Sequence, residues 1–468
     1  MKKQVSRWFL LVIVSSAVFL SVLDIFIVNI ALPSIKKGIH GTNSDIQLVI
    51  VLYLLGYASF LITGGRAGDH FGKKNVFVTA MVLFILTSAM CGLSQSSWQI
   101  NTSRLLQGIS AAFMIPQTIT FIQVLFPVHQ DRIKAFGIYG IIAGTAAVIG
   151  QFLGGLLPIL HFLKAGWRLI FLINLPIGLI FVILGTVFLN DTKTEKNGKF
   201  DISGVILLSV SLISLLYPLV RGRELHWPLW SLLSIALSVI LLYSFAVNQR
   251  NKLRDGKAPL VDVRLFAFKD FNIGLLTVLF FYMVQDTYFL INVILFQTGF
   301  GINPAEIGIY FAFQGVAYIL ASLIAVRLMP VYGKKILQAG VLIMIIAMVF
   351  HLLFIDSPAI NRYALFAILF LYGVGCGSVL PSLLTIALKS IPLQFAGAAS
   401  GVFTTFQKTA IALGISIIGG IFFYKIGSNP NLNTYLSAYR LAGSIIVLLL
   451  FVVSFFLYLL PDKPKPQI

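Results

Sequence analysis

The chain has 468 residues, of which 58% are hydrophobic and 10% are charged, with a formal net charge of +19. Soluble globular proteins carry about 25% charged residues, so this composition excludes a soluble enzyme, and its apolar content excludes a disordered chain. The mean hydropathy of +0.96 indicates a helical membrane protein, because apolar runs satisfy their backbone hydrogen bonds in lipid as helices. A membrane β-barrel would need short alternating segments, and the sequence has none.

Fourteen apolar segments are long enough to cross a membrane, at about 20 residues for each span. They lie near residues 8–32, 46–65, 76–93, 99–126, 135–160, 169–189, 202–220, 229–247, 271–296, 306–328, 336–355, 362–385, 397–424 and 436–460. The sequence therefore predicts an all-α protein with fourteen transmembrane helices.

The basic residues are distributed unequally between the two sides of the membrane. An even number of spans places both termini on one side, where the loops and adjoining segment ends hold 23 Lys and Arg, against 9 on the other side. Positive loops face the cytoplasm, so we expect a multi-pass protein of the cell membrane with both termini cytoplasmic. Because topology explains most of the net charge, nucleic acid is not an expected partner.

The sequence contains an internal repeat. The motif at residues 71–74 (Phe-Gly-Lys-Lys) returns at 332–335 (Tyr-Gly-Lys-Lys), and the same offset of 261 residues maps segments 1 to 5 onto segments 9 to 13. This predicts two parallel six-helix bundles with two helices inserted between them. The expected boundaries are 1–190, 191–270 and 271–468.

Each bundle has a carboxylate in its first helix. Asp24 lies inside segment 1, and Asp286 lies one residue from the equivalent position in segment 9. A charge within a span costs about 2.5–3.5 kcal/mol on insertion scales, so such residues are functional candidates. Both can bind a proton on one side of the membrane and release it on the other. The alternative is a structural hydrogen bond to a neighbouring helix.

Two basic residues also lie within the spans. Arg104 shares a helix face with Gln107, three residues later, and can hold a carboxylate or backbone carbonyls of segment 1; alternatively, it extends to the membrane surface. Lys408 in segment 13 either pairs with Asp286 or faces the end of its helix.

Two glycine-containing motifs indicate close packing or tight turns. The first is a short cytoplasmic turn that could act as a latch, in which Asp69 can cap a helix N-terminus; its members are Gly65, Asp69, Gly72, Lys73 and Lys74. The positive-inside rule alone would explain its lysines. The second lies in segment 5, where glycines give a smooth face for another helix to slide on or simply pack against. Its members include Gly150, Gly154 and Gly155.

The sequence lacks the motifs of several enzyme classes. No Gly-Lys pair is followed by Ser or Thr, so no phosphate-binding loop is present, and the six histidines show no metalloprotease pattern. Two intramembrane aspartates leave an intramembrane aspartyl protease as a remote alternative. The contexts Leu23-Asp24 and Gln285-Asp286 do not match the Tyr-Asp and Gly-x-Gly-Asp motifs that are typical of those proteases. We expect no enzyme activity, metal or cofactor.

Several motifs in order resemble the major facilitator superfamily, and within it the fourteen-span drug:proton antiporter family. The resemblance covers almost the whole chain. The motifs are residues 23–33 in the first helix, 65–74 in the loop between helices 2 and 3, Arg104-x-x-Gln107-Gly108 in the fourth helix, 167–178 in the sixth, and Gly373-x-Gly375-x-Gly377-x-x-x-Pro381.

The resemblance implies alternating access between two bundles around a central cavity, with substrate export driven by the proton gradient. Asp24 would be the proton or cation site, assisted by Arg104, and Asp69 would belong to the latch. The predicted proton-coupling set is Asp24, Arg104 and Asp286. The predicted substrate cavity adds Phe26, Gln107 and Lys408.

Three positions depart from the family pattern. The fifth-helix motif normally reads Gly-Pro-x-x-Gly-Gly, but Gln151 stands in place of the proline that would kink or stiffen the helix. His70 replaces the usual arginine of the latch, which makes the latch sensitive to pH near neutrality. Phe26 stands where the family often has a small polar residue, and this favours lipophilic substrates.

These observations lead to the hypothesis of a proton-coupled multidrug exporter of lipophilic, cationic small molecules, associated with antibiotic resistance. The alternative is a dedicated porter for one metabolite, lipid or organic anion, either coupled or uncoupled. The expected partners are the small-molecule substrate, protons and membrane lipids, and the expected state is a monomer.

Overall fold

The computed structural model describes residues 5–160, 166–190, 201–355, 361–389, 391–392, 395–427 and 430–460. These ranges contain fifteen α-helices and no β-strand. The helices are α1 (Arg7–Gly38), α2 (Asn43–Phe71), α3 (Lys73–Leu93), α4 (Ser97–Leu125), α5 (His129–Leu156), α6 (Leu169–Leu172), α7 (Asn174–Phe188), α8 (Ile202–Glu224), α9 (Leu229–Arg254), α10 (Lys269–Ile294), α11 (Pro304–Tyr332), α12 (Lys334–Phe354), α13 (Arg362–Ala387), α14 (Ala396–Ile426) and α15 (Leu432–Leu459).

Fourteen segments among the described residues are long and apolar enough to cross a membrane. The sixth is composite, because a 3₁₀ turn at Gly166–Arg168, α6 and α7 together form the span Gly166–Phe188. The predicted all-α fold with fourteen spans is confirmed. Several helices are longer than their apolar segments; α1 has 32 residues, about 48 Å at 1.5 Å per residue, and so exceeds the hydrocarbon thickness of about 30 Å.

The helix ends follow local sequence signals. Thr42 and Asp45 form a capping box at the start of α2, and Asn431 and Thr434 form one at the start of α15. Between α2 and α3 the chain turns on a single residue, Gly72, whose φ of +92° is easily adopted only by glycine.

The chain divides into two compact units, residues 1–213 with 238–260, and residues 214–237 with 261–468. In the first unit, α2 packs on α4, α1 on α5 and α3 on α4. Glycines allow these helices to approach closely: a Cβ at Gly64 would lie 2.1 Å from the Ala112 carbonyl oxygen, and one at Gly108 would lie 2.0 Å from that of Tyr53.

The second unit repeats this arrangement. Here α11 packs on α13, α10 on α14 and α12 on α13, which are the helix pairs that the offset of 261 residues predicts. Glycines again lie at the contacts: a Cβ at Gly377 would lie 2.2 Å from the Tyr318 carbonyl oxygen, and one at Gly414 would lie 2.1 Å from that of Met283. Two six-helix bundles with two added helices, α8 and α9, therefore account for the fold. The predicted boundaries at 190 and 270 stay a prediction.

Candidate functional site

The first unit contains a buried polar cluster around Asp24, which is fully buried in α1. Its Oδ2 accepts a hydrogen bond from Arg104 Nη1 at 2.5 Å. Its Oδ1 accepts from Gln107 Nε2 at 2.9 Å and from Asn174 Nδ2 at 3.2 Å. The cluster thus joins α1, α4 and α7 through one carboxylate.

Arg104 lies entirely inside the unit, with 1% of its surface exposed. Besides its ion pair with Asp24, it donates from Nε to the Val49 carbonyl oxygen at 2.9 Å and from Nη1 to Gln107 Oε1 at 2.7 Å. Its guanidinium carbon lies 4.3 Å from the centre of the Tyr53 ring. A buried guanidinium requires such partners. The alternative that Arg104 extends to the membrane surface is therefore wrong.

Asn174 is the member of this cluster that was not predicted from the sequence. It is fully buried and donates both to Asp24 and to Ser88 Oγ, the latter at 3.0 Å. It follows Ile173, where α6 ends and α7 begins, so the helix break presents its side chain to α1. The signal that could have revealed it is an amide in an apolar segment, two residues before Pro176.

The arrangement gives Asp24 three donors for two carboxylate oxygens. An ionised carboxylate accepts all three bonds, whereas a protonated one carries a hydrogen on one oxygen and becomes a donor there. Protonation would therefore place this hydrogen opposite another donor and weaken at least one contact between α1 and its neighbours. The cluster has the chemistry needed to link proton binding to the packing of three helices.

The second unit holds the other two charged residues predicted within spans. Asp286 is buried in α10, with 8% exposed, and Lys408 is half-buried in α14. The two groups interact electrostatically. This interaction favours the alternative in which Lys408 pairs with Asp286, and the pairing itself stays a prediction.

Phe26 and the glycines of the fifth helix lie together in the first unit. A Cβ at Gly150 would lie 2.8 Å from the Leu23 carbonyl oxygen and 3.1 Å from Phe26 Cβ, and one at Gly154 would lie 2.6 Å from the Ile27 carbonyl oxygen. These glycines form the face of α5 that packs closely against α1. Between them Gln151 is buried, and its Oε1 has no hydrogen-bond partner among the described residues.

The structure places the predicted latch residues differently from the expected turn. Gly65 and the exposed Asp69 belong to the last turns of α2. Asp69 does not cap α3, because the N-cap of α3 is Gly72 and no side chain bonds there. At the start of α3, Lys73 is half-buried and Lys74 Nζ donates to the Thr186 carbonyl oxygen at 2.7 Å. The expectation that residues 65–74 form a turn in which Asp69 caps the next helix is wrong, since helix α2 continues to Phe71.

A second polar cluster at the start of α8 was not predicted. Asp201 Oδ2 accepts from Gln249 Nε2 and from the Leu260 amide, each at 2.9 Å, and Oδ1 accepts from the Gly204 amide at 2.6 Å and from Lys252. Burial alone would raise the pKa of Asp201, but these hydrogen bonds lower it to about 2. The carboxylate therefore holds the start of α8, the end of α9 and the following linker together.

The profile described as Major Facilitator Superfamily matches residues 14–255 and 274–468 of the chain. The chain belongs to this superfamily. Similar proteins include the probable actinorhodin transporter of Streptomyces coelicolor, 31% identical over 425 residues, which are 90% of this chain and 73% of that protein. Multidrug resistance protein Stp of Mycobacterium tuberculosis is 26% identical over 407 residues, which are 86% and 73% of the two chains. Among solved structures, a D-xylose-proton symporter has a TM-score of 0.70 at 14% identity, covering 98% of this chain and 100% of that one.

These similarities confirm the resemblance that the sequence motifs indicate. The protein is a multi-pass membrane transporter of the superfamily, with relatives that include drug-resistance and export proteins. It is not an enzyme, so the intramembrane aspartyl protease alternative is excluded. The symporter supports the fold alone, because its sequence identity is low.

Proposed function

We propose that the protein exports lipophilic, cationic small molecules in exchange for protons, by alternating access across the cell membrane, with both termini in the cytoplasm. The observation that carries this proposal is the buried Asp24 cluster, in which one carboxylate holds three donors from α4 and α7. A proton and a cationic substrate can then compete for the same negative charge, and this competition couples their movements.

Arg104 provides the second part of the mechanism. While Asp24 is ionised, it neutralises Arg104 at 2.5 Å. When Asp24 binds a proton, the guanidinium keeps Val49, Gln107 and the Tyr53 ring as partners but loses its counter-ion. The loss changes the balance of contacts on α1 and favours a different arrangement of α1 against α4. A proton-dependent preference for one conformation is the requirement for coupled transport.

The remaining predicted residues have proposed roles in the same cycle. Asp286 supplies negative charge in the second unit, Phe26 and Gln107 contribute apolar and hydrogen-bonding surface to the cavity, and Lys408 modulates Asp286. The latch residues at the junction of α2 and α3 stabilise one conformation, and Gly150 and Gly154 let α5 slide on α1. We propose that the protein works as a monomer surrounded by lipid.

A dedicated porter for one organic anion or metabolite is the second candidate. The observation in its favour is the half-buried Lys408 beside Asp286, which offers a positive charge to an anionic substrate. The Streptomyces relative is named as a transporter of a single compound, whereas Stp is named as a multidrug resistance protein. Binding assays across cationic, neutral and anionic compounds distinguish the two candidates.

The test is proton release when a cationic dye is added to purified protein in liposomes. We expect wild type to release protons and Asp24→Asn to release none, because the variant lacks the carboxylate for which the proton and the dye compete. The matched control is Asp255→Asn, because Asp255 is an exposed aspartate of the same unit. If wild type moves no protons with any cation, proton-coupled export of cations is refuted. If Asp24→Asn releases as many protons as wild type, the coupling site lies elsewhere.

A further inference from the structure

The second unit contains a column of buried polar aromatic side chains that the proposed function does not use. Tyr288 of α10, His351 of α12, Tyr372 of α13 and Tyr439 of α15 are each 0% exposed. The Tyr288 and Tyr372 rings are stacked with centroids 3.6 Å apart, and His351 lies parallel to Tyr288 at 5.7 Å. We call these four residues and Asn292 the aromatic column.

The hydrogen bonds of the column fix the tautomer of His351. Asn292 Nδ2 donates to the Tyr288 carbonyl oxygen at 2.8 Å, which leaves Asn292 Oδ1 as an acceptor. The Tyr439 hydroxyl donates its one hydrogen to that Oδ1 at 3.0 Å. The bond of 2.8 Å between Tyr439 and His351 Nδ1 must therefore be donated by Nδ1–H. The neutral ring then carries a bare lone pair on Nε2.

Three polar atoms of the column have no hydrogen-bond partner among the described residues. They are His351 Nε2, the Tyr288 hydroxyl and the Tyr372 hydroxyl. Buried polar atoms that lack a protein partner commonly bind ordered water. The His351 nitrogen can accept a hydrogen bond, and each of the two hydroxyls can both donate and accept one. Such groups can support a chain of hydrogen-bonded water molecules through a protein.

The column connects the ends of two helices with Asp286. His351 lies three residues before the end of α12, and Asn292 lies two residues before the end of α10. Asp286 lies six residues earlier on α10 than Asn292, about 9 Å along the helix axis. The Tyr372 phenol interacts electrostatically with Asp286. With cytoplasmic termini, the His351 end of the column faces the extracellular side.

The surroundings of the column contain few titratable groups. Cys376 of α13 interacts electrostatically with Tyr288 and Tyr372, and Tyr439 faces His351 from α15. At the inner end, Lys408 of α14 lies beside Asp286. His351 is in the last turn of α12, where the helix dipole favours a positive charge. Because His351 is fully buried with no carboxylate among these neighbours, its resting ring is neutral and would carry a proton only in transit.

We propose that the aromatic column, with bound water, is the route by which protons from the extracellular side reach Asp286, and that His351 Nε2 is the first protein atom to accept them. This inference rests on the proposed proton coupling. A proton from water binds Nε2 and then leaves from the same atom to the next water. Each hydroxyl gains one proton and passes on its own, until Asp286 is protonated, so no other reactant is required.

Tyrosine-to-phenylalanine substitutions test the route with little effect on packing. The variant Y288F/Y372F removes two hydroxyls that have no protein partner, and His351→Gln removes the Nε2 acceptor. In liposomes loaded with dye and acidified on the extracellular side, we expect both variants to take up protons at least tenfold more slowly than wild type, with unchanged dye affinity. The matched control is Tyr310→Phe, because Tyr310 is a buried tyrosine of the same unit that is bonded to Glu306 instead.

The outcomes separate this inference from the proposed function. Wild type that moves no protons refutes the proposed coupling and the route together. Wild type that moves protons, with Y288F/Y372F and His351→Gln at the wild-type rate, refutes the route alone. The melting temperature of each variant shows whether it is folded. If the double variant is unfolded, the proton transfer rates of Tyr288→Phe and Tyr372→Phe are compared with wild type instead. A slow rate in these variants and a normal rate in Tyr310→Phe supports the route.

Discussion

Replacement of Asp24 by asparagine tests the buried cluster through protein stability, independently of transport. Asparagine offers one acceptor oxygen and one NH₂ group in place of two acceptors. Whichever way the amide turns, its NH₂ faces a donor, either Arg104 or the pair Gln107 and Asn174. At least one hydrogen bond is lost, and the Arg104 charge loses its counter-ion in a site with 1% exposure.

The magnitude follows from the contacts that remain. Removal of one partner from a buried ion pair costs about 3–5 kcal/mol, and Arg104 keeps Val49, Gln107 and the Tyr53 ring, so we expect the lower value, about 3 kcal/mol. The unfolding entropy is about 2.1 cal/mol/K per residue, so the melting temperature should fall by about 3–6 °C, depending on whether the whole chain or one unit unfolds together.

The two cysteines provide the assay. Cys91 and Cys376 are free and buried, one in each unit, so a thiol-reactive fluorophore labels them only when the protein unfolds. Asp255→Asn is the control, because the exposed Asp255 has only an exposed ion pair and should melt like wild type. The variant D24N/R104Q, which also removes the unpaired charge, should recover part of the loss. If Asp24→Asn melts within about 1 °C of wild type, the buried pair does not contribute as the geometry requires.

Three further predictions concern other contacts of the first unit. Gly154→Ala should lower the stability by about 1–3 kcal/mol, because the added Cβ would lie 2.6 Å from the Ile27 carbonyl oxygen. Gly140→Ala is the control and should leave the stability unchanged, because a Cβ there would have no atom within 4 Å. Thiol labelling during heating measures the melting temperature of both variants. Asp201→Asn should lower the melting temperature at neutral pH. The pKa of Asp201 in the folded protein is about 2, below its ordinary value of 3.8, so the ionised carboxylate stabilises the fold above that range. The difference in melting temperature between variant and wild type should therefore shrink as the pH falls from about 4 to about 2. A difference that is independent of pH would contradict the role of the ionised carboxylate. Arg168→Gln should cost about 1–3 kcal/mol, because Arg168 Nη1 donates to the Gly92 and Ser94 carbonyl oxygens at the end of α3, and equal melting of variant and wild type would refute this.

The sequence predicted the features that depend on apolar length and on charge within apolar runs. Asp24 and Arg104 were identifiable because a charged residue in a span needs a partner, and the spacing of Arg104 and Gln107 placed both on one face of α4. The positions of these three side chains agree with that reasoning. The repeat of helix pairs was also predictable, since the offset of 261 residues maps each helix onto its counterpart.

Features that depend on three-dimensional packing could not be read from the sequence. Asn174 reaches Asp24 only because the sixth span breaks at Ile173, and no local signal fixes the direction of a side chain after such a break. Asp201 lies outside the spans, where carboxylates are common and usually solvated. Asp69 was expected at a helix start, but glycine spacing alone did not show that α2 would continue to its last turn.

The single-residue connections at Gly72 and Gly333 limit how the two repeats can vary. Each joins two membrane-spanning helices directly, and each has a positive φ, +92° and +54°. One inserted residue would rotate the following helix by about 100°, the angle per residue of an α-helix, and turn its buried face toward lipid. These two joints should therefore tolerate insertions and deletions less than the 14-residue stretch between α9 and α10, where added length changes no helix orientation. A scan of single-residue insertions in the connections between spans would reveal this contrast as two minima in expression, 261 residues apart.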